Sequence, residues 1–278
     1  MILSKTFSVW LFAISTSGLV LPAQAHEYWL DPIDSAIMLG TSAIVDIRNG
    51  QRFSGAAFPY DANQYQSITI TNSDIREPYS GRLGDYPAIH PEMQTAGLNS
   101  IAVDTAPKLL TYDTWQKFNE FLDYHGFENA AQRHLDRKLP KTDITESYIR
   151  SAKTLLQVND DGNRVIYKKA PDPGDDNKAL APTNSLFEMV LLDNPYTEKS
   201  TIDAKLLFNG EALTGRQVEM FWKGTQLIRL TEITDSEGVV SFKVLDSGDY
   251  MLNAVQLVEP DNSEVHWLSY WASITFER

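Results

Sequence analysis

His26 is the residue of this sequence whose position points most directly to chemistry. It follows Ala23-Gln24-Ala25, a small-x-small pattern that signal peptidases cut. A cut after Ala25 makes His26 the first residue of the mature chain. Its α-amine and its ring Nδ1 can then chelate one metal ion, because both nitrogens lose their protons near neutral pH. A second imidazole opposite them completes the three-nitrogen arrangement called a histidine brace.

The other four histidines are candidate partners for His26, and each has an ordinary structural explanation as well. His266 begins the last strand-like run with the parity of the apolar residues, which favours a buried, hydrogen-bonded histidine over a metal ligand. His90 lies in a loop, and His125 lies at the C-terminal end of a predicted helix, where the helix dipole favours it. We expect His134, in the charged run RHLDRK, to be solvated. No HExxH or HxxxH spacing strengthens the metal interpretation.

Composition narrows the classes of function. The chain has 24 Lys and Arg residues against 37 Asp and Glu, a formal net charge of −13. This charge excludes nucleic acid and anionic membrane surfaces as partners. There are no cysteines, which excludes disulfides and thiolate metal sites. The sequence has no GxSxG, P-loop or Rossmann fingerprint, and no pair of carboxylates stands out as an acid–base couple. We therefore expect a protein that is not an enzyme.

Residues 1–25 are typical of a secretory signal peptide. Lys5 precedes the apolar segment FSVWLFAISTSGLVL, which serines and threonines interrupt. A membrane-spanning helix needs about 20 mostly apolar residues, and no other run in the chain provides them. We predict an exported, soluble, periplasmic protein that does not span the membrane after cleavage.

Strand and turn signals dominate the segment from His26 to Thr105. Alternation of apolar and polar residues predicts strands in SAIVDIRNG (42–50), QSITITNSD (66–74) and SIAVDT (100–105). Between and after them, RFSGAAFPYDANQ (52–64) and YSGRLGDYPAIHPE (79–92) are predicted loops. Further along, APDPGDDNKALAPTN (170–184) is predicted to be irregular, and FEMVLLD (187–193) is predicted to be a strand.

A helix is predicted in TYDTWQKFNEFLDYHGF. Trp115, Phe118 and Leu122 form an i, i+3, i+7 stripe, and Gly126 is a suitable stop.

A second helix is predicted in KTDITESYIRSAKTLLQV. Asp143 and Glu146 have the spacing of a capping box, and Ile149, Ala152 and Leu156 follow at helical intervals. The two helices form a predicted helical insertion at about 111–158.

Six short strand-like runs separated by turn residues make up the C-terminal part. They are IDAKLLFNG, RQVEMFWKG, QLIRLTEIT, VVSFKVL, YMLNAVQLV and HWLSYWASITFE. The predicted fold is therefore mainly β, with two β-sandwich domains. The first spans 26–198 and carries the helical insertion. The second spans 199–278, is immunoglobulin- or prealbumin-like, and begins at a boundary near Lys199.

Seven segments in order resemble the bacterial domain of unknown function 4198 family. They are AHEYWLDP, GRLGDYPAI, TYDTWQKFNEFLDYHG, ESYIRSAKTLL, FEMVLLDNPYT, VEMFWKG…TDSEGVVSF and WLSYWASITFE. The resemblance covers essentially the whole chain after residue 25. Members have been labelled nickel/cobalt-uptake-like periplasmic components, so the resemblance implies an exported β-rich protein that handles a transition metal.

The resemblance also bears on the site. His26 matches the family histidine after the cleavage site, and Glu188 matches a family glutamate that could supply a carboxylate or anchor a domain junction. Many members carry a histidine in an early Gly-His-x-Phe stretch, where this chain has Gln51. That departure removes one candidate for the second imidazole. The predicted metal ligands are His26, Glu188 and His266.

The predicted function is periplasmic binding or delivery of a transition metal ion (Ni, Co, Cu or Zn), with an inner- or outer-membrane transporter component as partner. The alternative is a non-metal binding or structural module. In that case the aromatic loops at 53–65 and 81–92 contact a glycan, a peptide or a membrane-complex subunit. A copper oxidase acting through a histidine brace is a third alternative, and no substrate-groove signal supports it.

Overall fold

The computed structural model describes residues 26–160, 178–261 and 264–278. The predicted signal peptide (1–25) and the first half of the predicted irregular stretch (170–177) lie outside the described residues. The described residues form seventeen strands, two α-helices and a 3-10 helix at Ala62–Gln64. The strands and α-helices are β1 (Glu27–Pro32), β2 (Ala36–Met38), β3 (Val45–Gln51), β4 (Ser54–Phe58), β5 (Tyr65–Thr71), β6 (Arg76–Pro78), β7 (Gly97–Thr105), β8 (Lys108–Tyr112), α1 (Trp115–Tyr124), α2 (Ala130–Asp136), β9 (Ile144–Asn159), β10 (Phe187–Leu191), β11 (Thr201–Phe208), β12 (Glu211–Ala212), β13 (Gln217–Lys223), β14 (Leu227–Ile233), β15 (Val239–Lys243), β16 (Asp249–Val258) and β17 (Trp267–Glu277).

A ten-stranded sheet runs through the whole molecule. Its order is β14-β13-β16-β17-β9-β7-β5-β6, and β2 and β8 also pair with β9. A three-stranded sheet has the order β1-β3-β4, and a four-stranded sheet has the order β10-β11-β12 with β15 beside β11. Strands β17 and β9 pair in parallel, with Trp267 opposite Glu146 and Thr275 opposite Thr154. This pairing joins the N-terminal and C-terminal strands into one sheet.

The two smaller sheets cover opposite faces of the large sheet. Side chains alternate between the faces of a strand, and on one face Leu155 of β9 and Ile274 of β17 pack against β10, β11 and β15. On the other face, Leu156 and Val158 of β9 pack against β1 and β3. The large sheet is therefore one layer of two sandwiches, which confirms the mainly β fold with two sandwiches.

Helices α1 and α2 lie on the same face of the large sheet as β1 and extend the layer that covers this face. Phe118 and Leu122 of α1 pack on Trp267 and Trp271 of β17 in a third apolar core.

The predicted first helix and the six predicted C-terminal strands are confirmed. Helix α1 begins after Thr114, whose hydroxyl accepts a hydrogen bond from the Lys117 amide (3.3 Å). It ends before Gly126, which has a φ of +68° and so takes the left-handed conformation of a helix stop.

The predicted second helix is wrong, because residues 144–159 form the long strand β9. Strand β9 lies inside the sheet with β17 and β7 as neighbours, so both of its faces are covered. Buried polar residues, among them Arg150 and Lys153, interrupt the apolar alternation that would have indicated a strand. The helical insertion predicted for about 111–158 consists of α1 and α2 alone.

The predicted loop 52–64 is also wrong in part, because it contains β4 and the 3-10 helix. Strand β10, which precedes the predicted boundary near Lys199, pairs with β11, which follows that boundary. None of the helices in the described ranges has the length and the apolar character that are needed to cross a bilayer.

Candidate functional site

His26 lies at the entry to β1, with its ring partly buried. Its carbonyl oxygen accepts a hydrogen bond from Arg150 Nη2 on β9 (3.1 Å). Its ring Nδ1 is buried and has no hydrogen-bond partner among the described residues. Burial lowers the pKa of the His26 imidazole, and the charge of Arg150 lowers it further. The ring is therefore neutral at neutral pH, which is the form that binds metal ions.

Two hydroxyl groups of β17 hold β1 in place. Ser273 Oγ donates to the carbonyl oxygen of Tyr28 (2.6 Å), and Thr275 Oγ1 donates to that of Leu30 (2.6 Å). All four residues are buried. The position of His26 is thus fixed by the large sheet as well as by the pairing of β1 with β3.

Gln51 lies across from His26 at the end of β3. The antiparallel register pairs Glu27 with Gly50, so the next position outward places Gln51 opposite His26. Gln51 is the position where the family resemblance leads us to expect a histidine. The two positions are cross-strand neighbours, close enough for their side chains to share a ligand.

The turn that follows β3 is strained. Arg52 and Phe53 both have a φ of 55°, a conformation that non-glycine residues rarely adopt. The Arg52 amide donates to Glu27 Oε2 (3.0 Å), and the Phe53 ring packs edge-on against Trp29 with centroids 5.5 Å apart. These contacts stabilise the strained backbone conformation of the turn, and they keep Gln51 beside β1.

Gln51 and Glu27 open onto a cavity of about 160 Å³, which we call the Glu27 cavity. Its lining includes Glu27, Gln51, Tyr112, Glu120, Tyr124 and His125. Glu27 is 1% exposed. Burial, together with the nearby charge of Glu219, raises the pKa of Glu27 to about 7. The cavity therefore holds a carboxyl group that exchanges its proton near neutral pH.

Glu219 behaves in the opposite way because Arg229 and His125 lie beside its carboxyl group. Its Oε1 lies 2.7 Å from Arg229 Nη2 and 3.4 Å from His125 Nδ1, and its Oε2 accepts from Asn253 Nδ2 (2.8 Å). Burial acts to raise the pKa of Glu219, but the charges and hydrogen bonds of His125 and Arg229 outweigh burial and lower it. Glu219 is the permanent anion of this cluster.

A second cavity, of about 280 Å³, lies on the Arg150 side of His26, and we call it the Arg150 cavity. Its lining includes Tyr28, Asn49, Tyr65, Lys108, Tyr148 and Arg150. The Arg150 guanidinium stacks over the rings of Tyr148 (4.5 Å) and Tyr28 (5.7 Å). His26 thus lies between an acidic region at Glu27 and a basic one at Arg150.

Glu188 lies on the opposite face of the large sheet from Arg150. Its Oε2 accepts from the amide and the hydroxyl of Thr183 (2.7 Å each), and its Oε1 accepts from the Asn184 amide (3.0 Å). It also faces Lys153 of β9, whose pKa burial lowers to about 8 against the opposing effect of Glu188. Because residues 150 and 153 are an odd number of positions apart on a strand, their side chains point to opposite faces. The structure does not bring Glu188 to His26.

His266 lies just before β17, at the start of β9. Its Nδ1 accepts a hydrogen bond from the Thr145 amide (2.8 Å) and contacts the Thr145 hydroxyl (2.9 Å). Thr145 is five residues from Arg150, a distance of about 16 Å along a strand. His266 is therefore a hydrogen-bonded histidine distant from His26, and the three predicted ligands lie in three places.

The comparisons with known proteins give a family. A family model described as "Domain of unknown function (DUF4198)" matches residues 23–257. The chain belongs to the DUF4198 family. The seven-segment resemblance is thereby confirmed at the level of the family. No curated protein is significantly similar to this DUF4198 chain.

One solved structure, described as the D0-D1 domain of Intimin, aligns with 90% of this chain and 97% of its own chain. The identity is 10% and the TM-score is 0.20. At that score the likeness supports no argument about fold or function, and the fold described above follows from the strands of the DUF4198 chain itself.

Two more histidines of the DUF4198 chain are buried. His134, predicted to be solvated, is 0% exposed, so that prediction is wrong. Its Nε2 donates to the Pro140 carbonyl oxygen (2.8 Å), and its Nδ1 accepts from Trp267 Nε1 (3.0 Å). His125 is also buried, against Glu219, so its position at the end of α1 is only part of its explanation.

Among the described residues, no three histidine, aspartate or glutamate side chains converge on a common metal position. The arrangement around His26 instead offers one free ring nitrogen, an adjacent buried carboxyl at Glu27 and an adjacent guanidinium at Arg150. Sequence reasoning missed Glu27 and Arg150. Glu27 follows His26 directly and could have been noted, whereas Arg150 was assigned to a helix that does not exist.

Proposed function

We propose that this protein is an exported periplasmic binding protein for a transition metal ion of the nickel/cobalt class. Cleavage after Ala25 gives His26 a free α-amine, and the amine and ring Nδ1 bind the ion together. The observation that carries the proposal is the buried Nδ1 of His26, which has no hydrogen-bond partner in the part of the chain that the structure describes. A buried polar atom without a partner is costly, and a bound ligand removes that cost.

The protonation state of the site supports the same proposal. The pKa of His26 is lowered by burial and by Arg150, so the imidazole needs no deprotonation to bind an ion at pH 7. The backbone carbonyl of His26 is already held by Arg150, which orients the residue before the ion arrives. Such preorganisation reduces the conformational entropy that is lost on binding.

Further ligands must complete the coordination, because amine and imidazole together fill two positions of the four to six that these ions use. Glu27 is the carboxyl nearest to His26 in sequence and opens onto the adjacent cavity. Glu188 and His266 do not reach His26, because Glu188 lies on the opposite face of the large sheet and His266 lies beside Thr145 at the start of β9. We propose a binding or delivery role without catalysis, in which the ion is passed to a membrane transporter component.

Calorimetric titration with Ni(II), Co(II), Cu(II) and Zn(II) tests the proposal. We compare the form that begins at His26 with a form that carries one additional alanine before it. The first should bind at least one ion, and the second should bind it at least about 100-fold more weakly, because the amine is replaced by a peptide nitrogen. The control is His90→Ala, which removes an exposed histidine and should leave the affinity unchanged.

Equal affinity of the two forms would show that the amine is not a ligand. Mass spectrometry of the secreted protein gives the second check, because a mature N-terminus other than His26 also removes the chelate.

A further inference from the structure

The Arg150 cavity contains a buried cation whose hydrogen-bonding capacity is largely unused. Arg150 is 5% exposed, and its Nε–H is buried without a hydrogen-bond partner within residues 26–160, 178–261 and 264–278. A guanidinium carries five N–H donors in a planar fork. The donor to His26 is Nη2, and the Nε–H makes no hydrogen bond to any described residue.

The charge of Arg150 is not neutralised by direct contact. Among the described residues, no carboxylate lies within ion-pair distance of Arg150 or Lys108, and Glu146 and Glu27 act on Arg150 only from further away. Lys108 lines the same cavity. Burial lowers the pKa of Lys108, and so does the positive charge of Arg150. Two cations therefore line one cavity, and Asp61 acts on Lys108 from beyond ion-pair distance.

Asp61 is the acidic residue of the lining, and its carboxylate is already occupied. Its Oδ1 accepts from the Asn63 amide (3.0 Å), and its Oδ2 accepts from Gln64 Nε2 (3.2 Å). These hydrogen bonds keep it within the 3-10 turn that it caps. It does not supply the missing partner of Arg150.

The remaining residues that line the Arg150 cavity favour an organic ligand over a bare ion. Tyr28, Tyr65 and Tyr148 contribute aromatic surface, and the volume of about 280 Å³ is close to the lower end of ligand pockets. Asn49 also lines the cavity, and its Oδ1 is buried with no donor from the described residues. The cavity is thus lined by a guanidinium group and a side-chain amide that each keep one buried polar atom without a partner among the described residues, and by aromatic walls.

We propose that the Arg150 cavity binds a small organic carboxylate, whose carboxylate lies on Arg150 and Lys108 and whose body packs among the three tyrosines. A carboxylate matches the planar fork of a guanidinium better than a spherical anion does. A hydroxyl or amine on the ligand donates to Asn49. This site does not depend on the metal chelate at His26, because it uses neither the amine nor the ring of that residue.

Ligand-observed NMR and calorimetry on the metal-free protein test the site. The probes are 4-hydroxybenzoate, citrate and acetate, with inorganic phosphate as a simple anion and 4-hydroxybenzamide as the neutral counterpart of the first. At least one of the three carboxylates should bind, and 4-hydroxybenzamide should bind at least about tenfold more weakly than 4-hydroxybenzoate, because it lacks the charge.

Two variants locate the binding. Lys108→Gln should weaken carboxylate binding about fivefold by removing one charge from the cavity wall. Lys205→Gln, which removes a half-buried lysine from β11 in another sheet, should leave it unchanged. Arg150→Lys keeps the charge without the fork and should weaken binding at least about tenfold. Lys108→Gln keeps the test valid if Arg150→Lys fails to fold.

The proposal is overturned if no carboxylate binds, if phosphate alone binds, or if the amide binds as well as the acid. Equal loss in Lys108→Gln and Lys205→Gln also overturns it. The form with an additional alanine before His26 should retain carboxylate binding while it loses the metal. Failure of one proposal is therefore distinguishable from failure of the other.

Discussion

The guanidinium of Arg150 lies 3.1 Å from the carbonyl oxygen of His26 and donates a hydrogen bond to it. This contact joins the start of β1 to the middle of β9, which are 124 residues apart in the sequence. It also places a buried positive charge next to the imidazole, so the protonation of His26 depends on a strand in the centre of the large sheet.

Replacement of Arg150 by methionine should raise the pKa of His26. The pKa of His26 is lowered first by burial and second by the charge of Arg150, so removal of that charge leaves burial alone. NMR titration of the histidine ring protons measures the shift directly.

Arg48→Met is the matched control, because Arg48 pairs with Asp31 (2.6 Å) and is not among the causes of the His26 shift. A pKa of His26 that stays the same in Arg150→Met would mean that burial alone controls the ring.

Gln51→His should increase the metal affinity of the form that begins at His26. Position 51 is opposite His26 in the register of β1 and β3, so the new imidazole can bind the same ion as the chelate. We expect a gain of at least about tenfold, or about 1.4 kcal/mol.

Calorimetric titration measures this gain, with Gln116→His on the exposed face of α1 as the control histidine. The same gain at position 116 would indicate nonspecific binding, and no gain at position 51 would place the ion elsewhere.

Glu146→Gln should change how stability depends on pH. Glu146 is 0% exposed, accepts from the Tyr112 hydroxyl (2.9 Å), and burial raises its pKa to about 7 against the opposing hydrogen bonds of Ser269 and Tyr112. Between its unfolded pKa of 4.5 and about 7, the folded protein therefore binds the proton that the unfolded chain releases.

The contribution of Glu146 to stability is thus fully present below pH 4.5 and is lost as the pH rises through 7. The loss amounts to about 3 kcal/mol at most. Glutamine imitates the protonated acid, so Glu146→Gln should gain stability relative to the wild type between pH 5 and pH 8. Urea denaturation at several pH values measures the difference. The exposed variant Glu120→Gln should show a constant difference, and a constant difference for Glu146→Gln as well would contradict the shifted pKa.

The strands at the surface of the sandwiches could be predicted from the sequence, whereas the central strand could not. In β15, buried Val240 and Phe242 alternate with exposed Ser241 and Lys243, which is the pattern of a strand with one covered face. Strand β9 is covered on both faces and buries Arg150 and Lys153. Its polar residues are explained only by the cavities and side chains that surround them in three dimensions.

In the candidate site, too, some residues could be predicted from the sequence and others could not. His26 could be found because the chelate depends on the local sequence around the cleavage pattern. Arg150 could not, because its role depends on long-range pairing that brings β9 under β1. His266 was predicted to be buried but is only half-buried. Its partner Thr145 is 121 positions away, and no sequence pattern reveals that contact.

Ser273→Ala and Thr275→Val should loosen β1 without disturbing the core. Their hydroxyls donate to the carbonyl oxygens of Tyr28 and Leu30, and each substitution leaves a buried carbonyl oxygen with one partner fewer. We expect a loss of about 1 kcal/mol of unfolding free energy for each. Hydrogen exchange should accelerate in Glu27–Pro32. Ser241→Ala, at an exposed position of β15, is the control and should change neither quantity. Unchanged exchange in β1 would show that its pairing with β3 alone holds the strand.

His134→Leu should lower the free energy of unfolding by about 2 to 4 kcal/mol. The ring nitrogens of His134 satisfy both the Pro140 carbonyl oxygen and the Trp267 indole N–H in a fully buried position. Leucine fills a similar volume but leaves both groups without partners, and the indole N–H has no water within reach at 0% exposure. Urea denaturation measures the loss, and His90→Ala, which removes an exposed histidine, should cost less than about 0.5 kcal/mol. Similar costs for the two substitutions would mean that His134 fills space between α2 and β17 and that its hydrogen bonds contribute little.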